Sequence, residues 1–146
     1  MLKKFISKSD KETREIAKKI AREILSKKPK NKAIVLALKG NLGAGKTTFT
    51  QGFAKELGVR SKILSPTFNI MKRFKFKGGN LYHIDCYRIK NKKDLEILGF
   101  KEIVLNYENV IIIEWPERIK GLLPKNSIYI RFKHLKDKER SLFLIK

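Results

Sequence analysis

A glycine-rich run that ends in Lys-Thr is the part of this sequence best suited to chemistry. It reads Gly40-Asn41-Leu42-Gly43-Ala44-Gly45-Lys46-Thr47 and fits the pattern G-x-x-x-x-G-K-[ST]. Glycines let a backbone curl around a triphosphate so that several N–H groups point inward. In this pattern the lysine bridges the β- and γ-phosphates, and the hydroxyl residue after it completes the coordination of Mg²⁺. The run, called the P-loop below, therefore predicts a site for a nucleoside triphosphate and Mg²⁺. The predicted nucleotide contacts are Asn41, Leu42, Gly43, Ala44, Gly45, Lys46, Thr47 and Thr48.

The residues on both sides of the P-loop support this prediction. The apolar run 33–38 before it is typical of a buried strand. After it, Phe49, Phe53 and Leu57 recur at a helical spacing, and Gly58 is placed to end that helix. At ordinary glycine usage the fixed positions of the pattern would coincide by chance in roughly one such chain in a hundred. A strand before the loop and a helix after it make coincidence rarer still.

Carboxylates follow two predicted strands further along the chain. Asp85 ends the strand that begins at Leu81. Glu114 follows Asn109 and the continuous apolar run 110–113, which is typical of a central parallel strand. Ligands of open α/β sheets bind at the carboxyl ends of the strands. We therefore predict that Lys46, Asp85 and Glu114 are the catalytic residues and that Thr47, Asp85 and Glu114 serve the metal. Glu114 would bind Mg²⁺ or polarise the attacking water. A structural cap of the next turn is the alternative for Asp85.

Two further segments fit the same site. Ser65-Pro66-Thr67 reads as a loop that enters a strand, because Pro66 forces an extended conformation on Ser65. Hydroxyl-bearing loops of this kind sense the γ-phosphate in P-loop proteins, so Ser65 and Thr67 are candidates for a switch-like loop. Trp115 follows Glu114 and would stack on the base, anchor a partner or pack in the core.

The remaining pattern indicates the elements that position these residues. Ser9 and Glu12 form a capping box before an amphipathic helix with Ile16, Ile20 and Ile24 on one face. Residues 2–7 fit an edge strand, 68–76 and a segment from Leu81 fit a hairpin, and 128–132 with 142–145 fit a closing hairpin that offers little chemistry. We predict one P-loop ATPase domain over residues 1–146. Its fold class is α/β and P-loop NTPase-like, with a central, mostly parallel sheet flanked by helices and antiparallel hairpins at the edge.

The amino-acid composition limits which other classes of protein this chain could belong to. The 146 residues carry a formal charge of +21, which suggests nucleic-acid contact. Lysine is scattered along the whole chain, however, and this distribution favours a solvated surface. A single cysteine, Cys86, excludes an internal disulfide and, with two distant histidines, a zinc site. No stretch approaches the ~20 apolar residues of a membrane span, and the N-terminus turns polar too soon for a signal peptide. The single cysteine fits a reducing compartment.

Two other features are interpreted as structural. Asn91-Lys92-Lys93-Asp94 resembles a guanine-reading motif, but the D-x-x-G that accompanies it in GTPases is missing. Asn91 or Asp94 is expected to cap the helix 95–98, which Gly99 ends, and adenine is the expected base. His83 and His134 are expected to be structural.

The ordered set G-N-L-G-A-G-K-T-T, S-P-T-F, Y-H-I-D-C-Y-R and E-W-P-E resembles the bacterial TsaE (YjeE) family, from the first core strand to about Glu117. The resemblance implies a cytoplasmic ATPase of tRNA threonylcarbamoyladenosine biosynthesis. Such a protein binds ATP or ADP with Mg²⁺ and hydrolyses ATP slowly alone. It works with TsaD and TsaB on adenosine 37 of ANN-decoding tRNAs, so tRNA is an indirect partner. The basic surplus leaves direct tRNA contact open.

The resemblance also implies roles for individual residues. Lys46 and Thr47 would hold phosphate and Mg²⁺, Asp85 and Glu114 would form the acidic pair, and Trp115 would lie at the nucleotide mouth. Asn41 stands where the family often has Asp, and Cys86 replaces an apolar residue. A small-molecule kinase is an alternative, although few arginines and no long insert are available for a lid. A nucleotide-gated interaction module without significant catalysis is the other alternative.

Overall fold

The P-loop belongs to a seven-stranded sheet in the computed structural model, which describes residues 2–66 and 69–145. The strands are β1 (Leu2–Ser7), β2 (Ile34–Lys39), β3 (Met71–Phe76), β4 (Gly79–Asp85), β5 (Asn109–Glu114), β6 (Ile128–His134) and β7 (Arg140–Ile145). The helices are α1 (Asp10–Ser26), α2 (Lys46–Leu57), α3 (Lys92–Ile97) and α4 (Phe100–Leu105), and a 3₁₀ segment covers Pro116–Leu122.

The sheet order is β1-β7-β6-β2-β5-β4-β3, and its middle is parallel. β2 pairs in parallel with β5 and β6, and β4 pairs in parallel with β5. At the two edges, β3–β4, β6–β7 and β1–β7 are antiparallel. This architecture confirms the predicted fold class.

The two faces of the sheet are covered unequally. Helices α1 and α2 pack on one face, where Phe49, Phe53 and Ile20 are almost fully buried. Below β2, β5 and β4, the opposite face packs against α3, α4 and the 3₁₀ segment through Leu95, Phe100 and Ile119. The opposite face of β1, β7 and β6 carries exposed side chains instead, including Leu2 and Tyr129. The sheet is therefore left open to solvent in this region.

Local signals placed most helix ends correctly. Ser9 caps α1, accepting a hydrogen bond from Glu12 N at 3.0 Å, and Gly58 ends α2 with a φ of 98°. Asn91 Oδ1 accepts from Lys93 N at 3.0 Å, which confirms Asn91 as the cap of α3. Gly99 follows the end of α3 at Ile97 and its cap Leu98, which confirms the prediction that it ends this helix. With a φ of 82°, Gly99 joins α3 to α4 by a sharp turn.

The β3–β4 hairpin differs slightly from its predicted form. Strand β4 begins at Gly79, before the predicted Leu81, so that the turn is reduced to Lys77-Gly78. Phe68, the predicted start of the first segment, lies outside the described residues. The pairing of Phe76 with Gly79 brings the ladder right up to the turn.

Candidate functional site

The backbone of the P-loop has the curled form that the glycines predict. Gly43 has a φ of 77° and Gly45 a φ of 99°, a region that side-chain-bearing residues rarely adopt. The conformation of Gly45 favours glycine, and a Cβ added there would lie 2.8 Å from Cδ of the flexible Arg140 side chain, which would have to shift. Helix α2 begins directly at Lys46, and its N-terminal N–H groups therefore point toward the loop.

Most of the predicted site residues line one cavity of about 490 Å³ beside this loop. The predicted residues in its wall are Leu42, Gly43, Gly45, Lys46, Thr47, Thr48, Ser65, Asp85, Glu114 and Trp115. Asn41 and Ala44 lie instead on the side of the loop that faces β6, where Asn41 lines a neighbouring cavity with Lys133. Thr67 lies outside the described residues. The structure thus brings lysine, hydroxyls and carboxylates together at one point.

Lys46 is a buried cation, with only 5% of its surface exposed. Its Nζ donates to the carbonyl of Gly40 and lies 4.3 Å from the centroid of the Trp115 ring. Burial lowers the pKa of Lys46, while the charges of Glu114, Asp85 and Glu117 partly raise it again. A buried ammonium is stabilised by an incoming anion, and the phosphates of a nucleotide would fulfil that role.

Trp115 reaches this position through an unusual backbone conformation. Its φ of 58° is left-handed, which is costly for a bulky residue, particularly before a proline. The indole packs at 5.0 Å from the ring of Tyr87 and covers Lys46. The strained conformation holds an aromatic wall over the cation, consistent with the predicted place at the mouth of the site.

Asp85 and Glu114 are direct neighbours, because they are paired in the β4–β5 register. Both side chains therefore leave the sheet on the face that carries α2. Asp85 Oδ1 accepts from Tyr87 N at 3.0 Å, so Asp85 also caps the next turn, as the alternative interpretation held. Its other oxygen, Oδ2, accepts from Ser65 Oγ at 3.4 Å. The hydroxyl loop is thus tied to the acidic pair.

His83, which the sequence analysis treated as structural, contacts the acidic pair. It is fully buried, and its Nε2 lies 2.7 Å from Oε2 of the nearly buried Glu114. Its Nδ1 is buried and has no hydrogen-bond partner among the described residues. The tautomer with the proton on Nε2 fits this arrangement, because Nε2–H then donates to the Glu114 carboxylate and Nδ1 carries no proton that needs an acceptor. The alternation of His83 and Asp85 along β4 was the available signal that both face the P-loop.

Arg140 is a second residue that sequence reasoning missed. It starts β7, lies against Gly45 and lines the same cavity, as do Arg88 and Asp10. Arg140 Nη1 donates to Asp10 Oδ1 at 2.8 Å, whereas its buried Nε has no partner among the described residues. This hydrogen bond is the main reason that the pKa of Asp10 is lowered. The closing hairpin, which was expected to offer little chemistry, thus brings a cation to the wall of the P-loop cavity.

No group of three or more His, Cys, Asp or Glu side chains within residues 2–66 and 69–145 could hold a metal by itself. The carboxylates of Asp85 and Glu114 and the hydroxyl of Thr47 do share the cavity. Hard oxygen donors suit Mg²⁺, which usually keeps waters and takes further oxygens from substrate phosphates. The donor set therefore fits a nucleotide-dependent magnesium site.

Cys86 follows Asp85 but is not a candidate nucleophile. It is fully buried, and burial raises the pKa of its thiol from 9.0 to about 12. We expect a thiol reagent such as Ellman's reagent to react with the native protein at pH 8 far more slowly than with protein in guanidinium chloride. Because the folded pKa is the higher one, the stability of the fold should also fall as the pH rises from 9.0 toward 12. Rapid modification of the native thiol would contradict this picture.

Among the described residues, none of the helices combines the length and apolar composition that a membrane span requires.

A family model and curated relatives give the same family, and a solved structure shares the fold. A family model described as "Threonylcarbamoyl adenosine biosynthesis protein TsaE" matches residues 7–142. The tRNA threonylcarbamoyladenosine biosynthesis protein TsaE of Haemophilus influenzae is 37% identical over 115 residues, which are 79% of this chain and 72% of the relative. The protein of the same name from Rickettsia typhi is 40% identical over 133 residues, covering 90% and 87% of the two chains. The crystal structure of Bacillus subtilis YdiB superimposes with a TM-score of 0.74 at 31% identity, over 99% of this chain and 84% of that one. This chain therefore belongs to the TsaE family, whose proteins take part in tRNA threonylcarbamoyladenosine biosynthesis.

Proposed function

We propose that this protein is a cytoplasmic ATPase that binds ATP with Mg²⁺, hydrolyses it slowly alone and acts with TsaD and TsaB in forming threonylcarbamoyladenosine at position 37 of ANN-decoding tRNAs. The observation that carries the proposal is the meeting of Lys46, Asp85 and Glu114 in one cavity under the P-loop. Membership of the TsaE family supports the assignment to this pathway, and the residues of the cavity support the proposed ATP hydrolysis.

The residues of the cavity divide the work as follows. The N–H groups of the P-loop and the ammonium of Lys46 bind the phosphates. Thr47 and Asp85, with Glu114, would hold Mg²⁺, which when bound neutralises charge on the phosphate oxygens. Glu114 orients and polarises the attacking water, and His83 fixes the direction of its carboxylate.

The surroundings of this cavity explain why the isolated protein would hydrolyse ATP slowly. Arg140, whose side chain lies against Gly45, is engaged by Asp10 through the 2.8 Å hydrogen bond. The cavity is open to solvent at Leu42, which is 74% exposed, so water screens the developing charge. A partner that docks over the mouth would exclude this water, and turnover should rise. ATPase rates measured with and without purified TsaD–TsaB test the proposal, and equal rates at saturating partner would count against it.

The hydroxyl loop gives this proposal a nucleotide-dependent element. Ser65 reaches Asp85 at 3.4 Å, and a γ-phosphate bound beside Asp85 would draw the loop inward. Only the γ-phosphate distinguishes ATP from ADP, so any difference in docking must come from interactions that it makes.

We predict tighter binding to TsaD–TsaB with a non-hydrolysable ATP analogue than with ADP, as measured by calorimetry. Ser65→Ala should reduce this difference because it removes the hydroxyl that contacts Asp85. Ser61→Ala is the matched control, since Ser61 lines a separate groove. Equal affinities in the two nucleotide states of the unaltered protein would rule out the switch.

A further inference from the structure

The uncovered face of β1, β7 and β6 has a composition unlike that of an ordinary solvated surface. Directly paired residues share a face of a sheet, so the register assigns this face residue by residue. We call it the sheet platform, and its members are Leu2, Lys4, Ile6, Tyr129, Arg131, Lys133, Ser141, Phe143 and Ile145. Apolar, aromatic and basic side chains make up almost all of this set, and it includes no acidic residue.

The platform is ordered in cross-strand rows. Lys4 pairs with Phe143, Phe143 with Arg131, and Arg131 with Lys39 of β2, which gives an aromatic ring flanked by cations. Lys4 Nζ lies 5.3 Å from the centroid of the Phe143 ring, which is half-buried. In the next row Tyr129 pairs with Ile145, and their exposed fractions are 39% and 37%. One row thus places a ring between cations, and the next row presents Tyr129 among apolar side chains.

We propose that the sheet platform binds a single-stranded RNA segment, with bases stacked on Phe143 and Tyr129 and phosphates bound by Lys4, Arg131 and Lys133. Aromatic rings on an exposed sheet face are the usual support for unstacked bases, and cations beside them track the backbone. An excess of positive charge supplies the attraction for a polyanion. This inference goes beyond the proposed ATPase function and does not depend on it.

The edge of the platform adds a recess of about 380 Å³ between Tyr129, Arg131 and the 3₁₀ segment, with Lys120 in its wall. A recess of this size lies in the range of small-ligand pockets, so one base could leave the stack and enter it. Its acid, Glu117, lies 3.9 Å from Lys39 and is balanced by that lysine. Lys39 precedes the P-loop, so the platform adjoins the nucleotide site along the chain.

A second basic surface helps to define the proposal. Arg14, Lys55, Arg60 and Lys62 line an open groove of about 680 Å³ on the α2 side, and its lining in the described part of the chain contains no aromatic ring. That groove can attract phosphates but cannot stack bases. RNA binding that depends on stacking should therefore be sensitive to the platform and insensitive to the groove.

The test measures binding of a fluorescently labelled single-stranded oligoribonucleotide by anisotropy, in the absence of ATP. Tyr129→Leu and Phe143→Leu keep apolar volume and remove the ring, and each should weaken binding roughly tenfold, in line with the loss of one stacked base. Tyr107→Leu is the matched control, because Tyr107 is 50% exposed with Lys28 Nζ 5.9 Å from its ring, outside the platform. Melting temperatures of all variants establish that they are folded.

Charge removal gives an independent readout. Arg131→Gln with Lys133→Gln should make the slope of log affinity against log salt shallower by about 0.7 for each phosphate that the variant no longer neutralises. Arg60→Gln with Lys62→Gln removes the same charge from the groove and should leave the affinity nearly unchanged. Lys46→Ala should retain RNA binding, so failure of the ATP site and failure of the platform are distinguishable.

Several outcomes would overturn the proposal. An RNA duplex that binds as tightly as the single strand would show simple electrostatic attraction. Equal losses in Tyr107→Leu and Tyr129→Leu, or no loss in folded Tyr129→Leu and Phe143→Leu, would remove the stacking role. A polyglutamate peptide that binds as tightly as RNA would assign the platform to an acidic protein partner instead.

Discussion

Lys46→Ala should abolish ATP binding at concentrations that saturate the unaltered protein. The lysine is 5% exposed and lies in the wall of the P-loop cavity, so its ammonium would meet the phosphates with little water between them. Truncating one partner of such a desolvated charge pair costs on the order of 3 kcal/mol, or roughly 100-fold in Kd. Fluorescent-nucleotide titration or calorimetry measures this change directly.

The fold should survive this substitution. Lys46 gives up one hydrogen bond to the Gly40 carbonyl and its interaction with the Trp115 ring, but the burial of an amine is relieved at the same time. Lys55→Ala is the matched control, because Lys55 belongs to the same helix and is exposed near its far end. If Lys46→Ala bound ATP as tightly as Lys55→Ala, the assignment of the nucleotide site would be wrong.

The P-loop could be predicted because its information is local. The left-handed conformations of Gly43 and Gly45, the strand before them and the helix from Lys46 are all encoded within a short stretch. The meeting of Asp85 with Glu114 could also be predicted, since parallel strands bring their carboxyl ends to one edge. In both cases a general rule of α/β folds replaces knowledge of the exact register.

Arg140 and Asp10 could not be predicted, because long-range pairing brings them to the P-loop. β7 inserts between β1 and β6 at the far side of the sheet from β4, and this order places the start of β7 beside Gly45. Nothing near position 140 in the sequence indicates that neighbour. The sheet platform was missed for the same reason. Its cations are scattered along the chain, and only the register of β1, β7 and β6 groups them around Phe143.

His83 shows how a correct local interpretation can hide a functional contact. A buried histidine on a strand is usually a satisfied core residue, and His83 is fully buried. Its partner, however, is the carboxylate of Glu114, on the neighbouring strand. The period of two along β4 places His83 on the same face as Asp85, but the contact depends on a register that the sequence does not reveal.

The last expected result concerns Glu114, the acid that His83 holds in place. Glu114→Gln should lower ATP hydrolysis by ~10²-fold or more, because an amide of the same shape cannot polarise water as a carboxylate does. Binding of ATP without Mg²⁺ should change little, since the phosphate-binding loop and Lys46 are untouched, whereas the contribution of Mg²⁺ to binding should weaken with the loss of a carboxylate. The amide oxygen of Gln can still accept from His83 Nε2, so the fold and the side-chain direction should persist. Single-turnover rates at saturating ATP separate the chemical step from binding.

Two further variants decide what the contact between His83 and Glu114 contributes. Glu56→Gln is the matched control, because Glu56 is paired with Arg22 at 3.1 Å and is absent from the wall of the P-loop cavity. His83→Gln keeps a donor for Glu114 and should retain more hydrolysis than His83→Phe, with the loss in kcat and little change in KM. If His83 had only a structural role, both variants would lose stability, and His83→Gln would not retain more hydrolysis than His83→Phe. Unchanged hydrolysis in Glu114→Gln would assign Glu114 to the structure of the site, whereas no measurable hydrolysis by the unaltered protein, with or without TsaD–TsaB, would favour a nucleotide-gated interaction module.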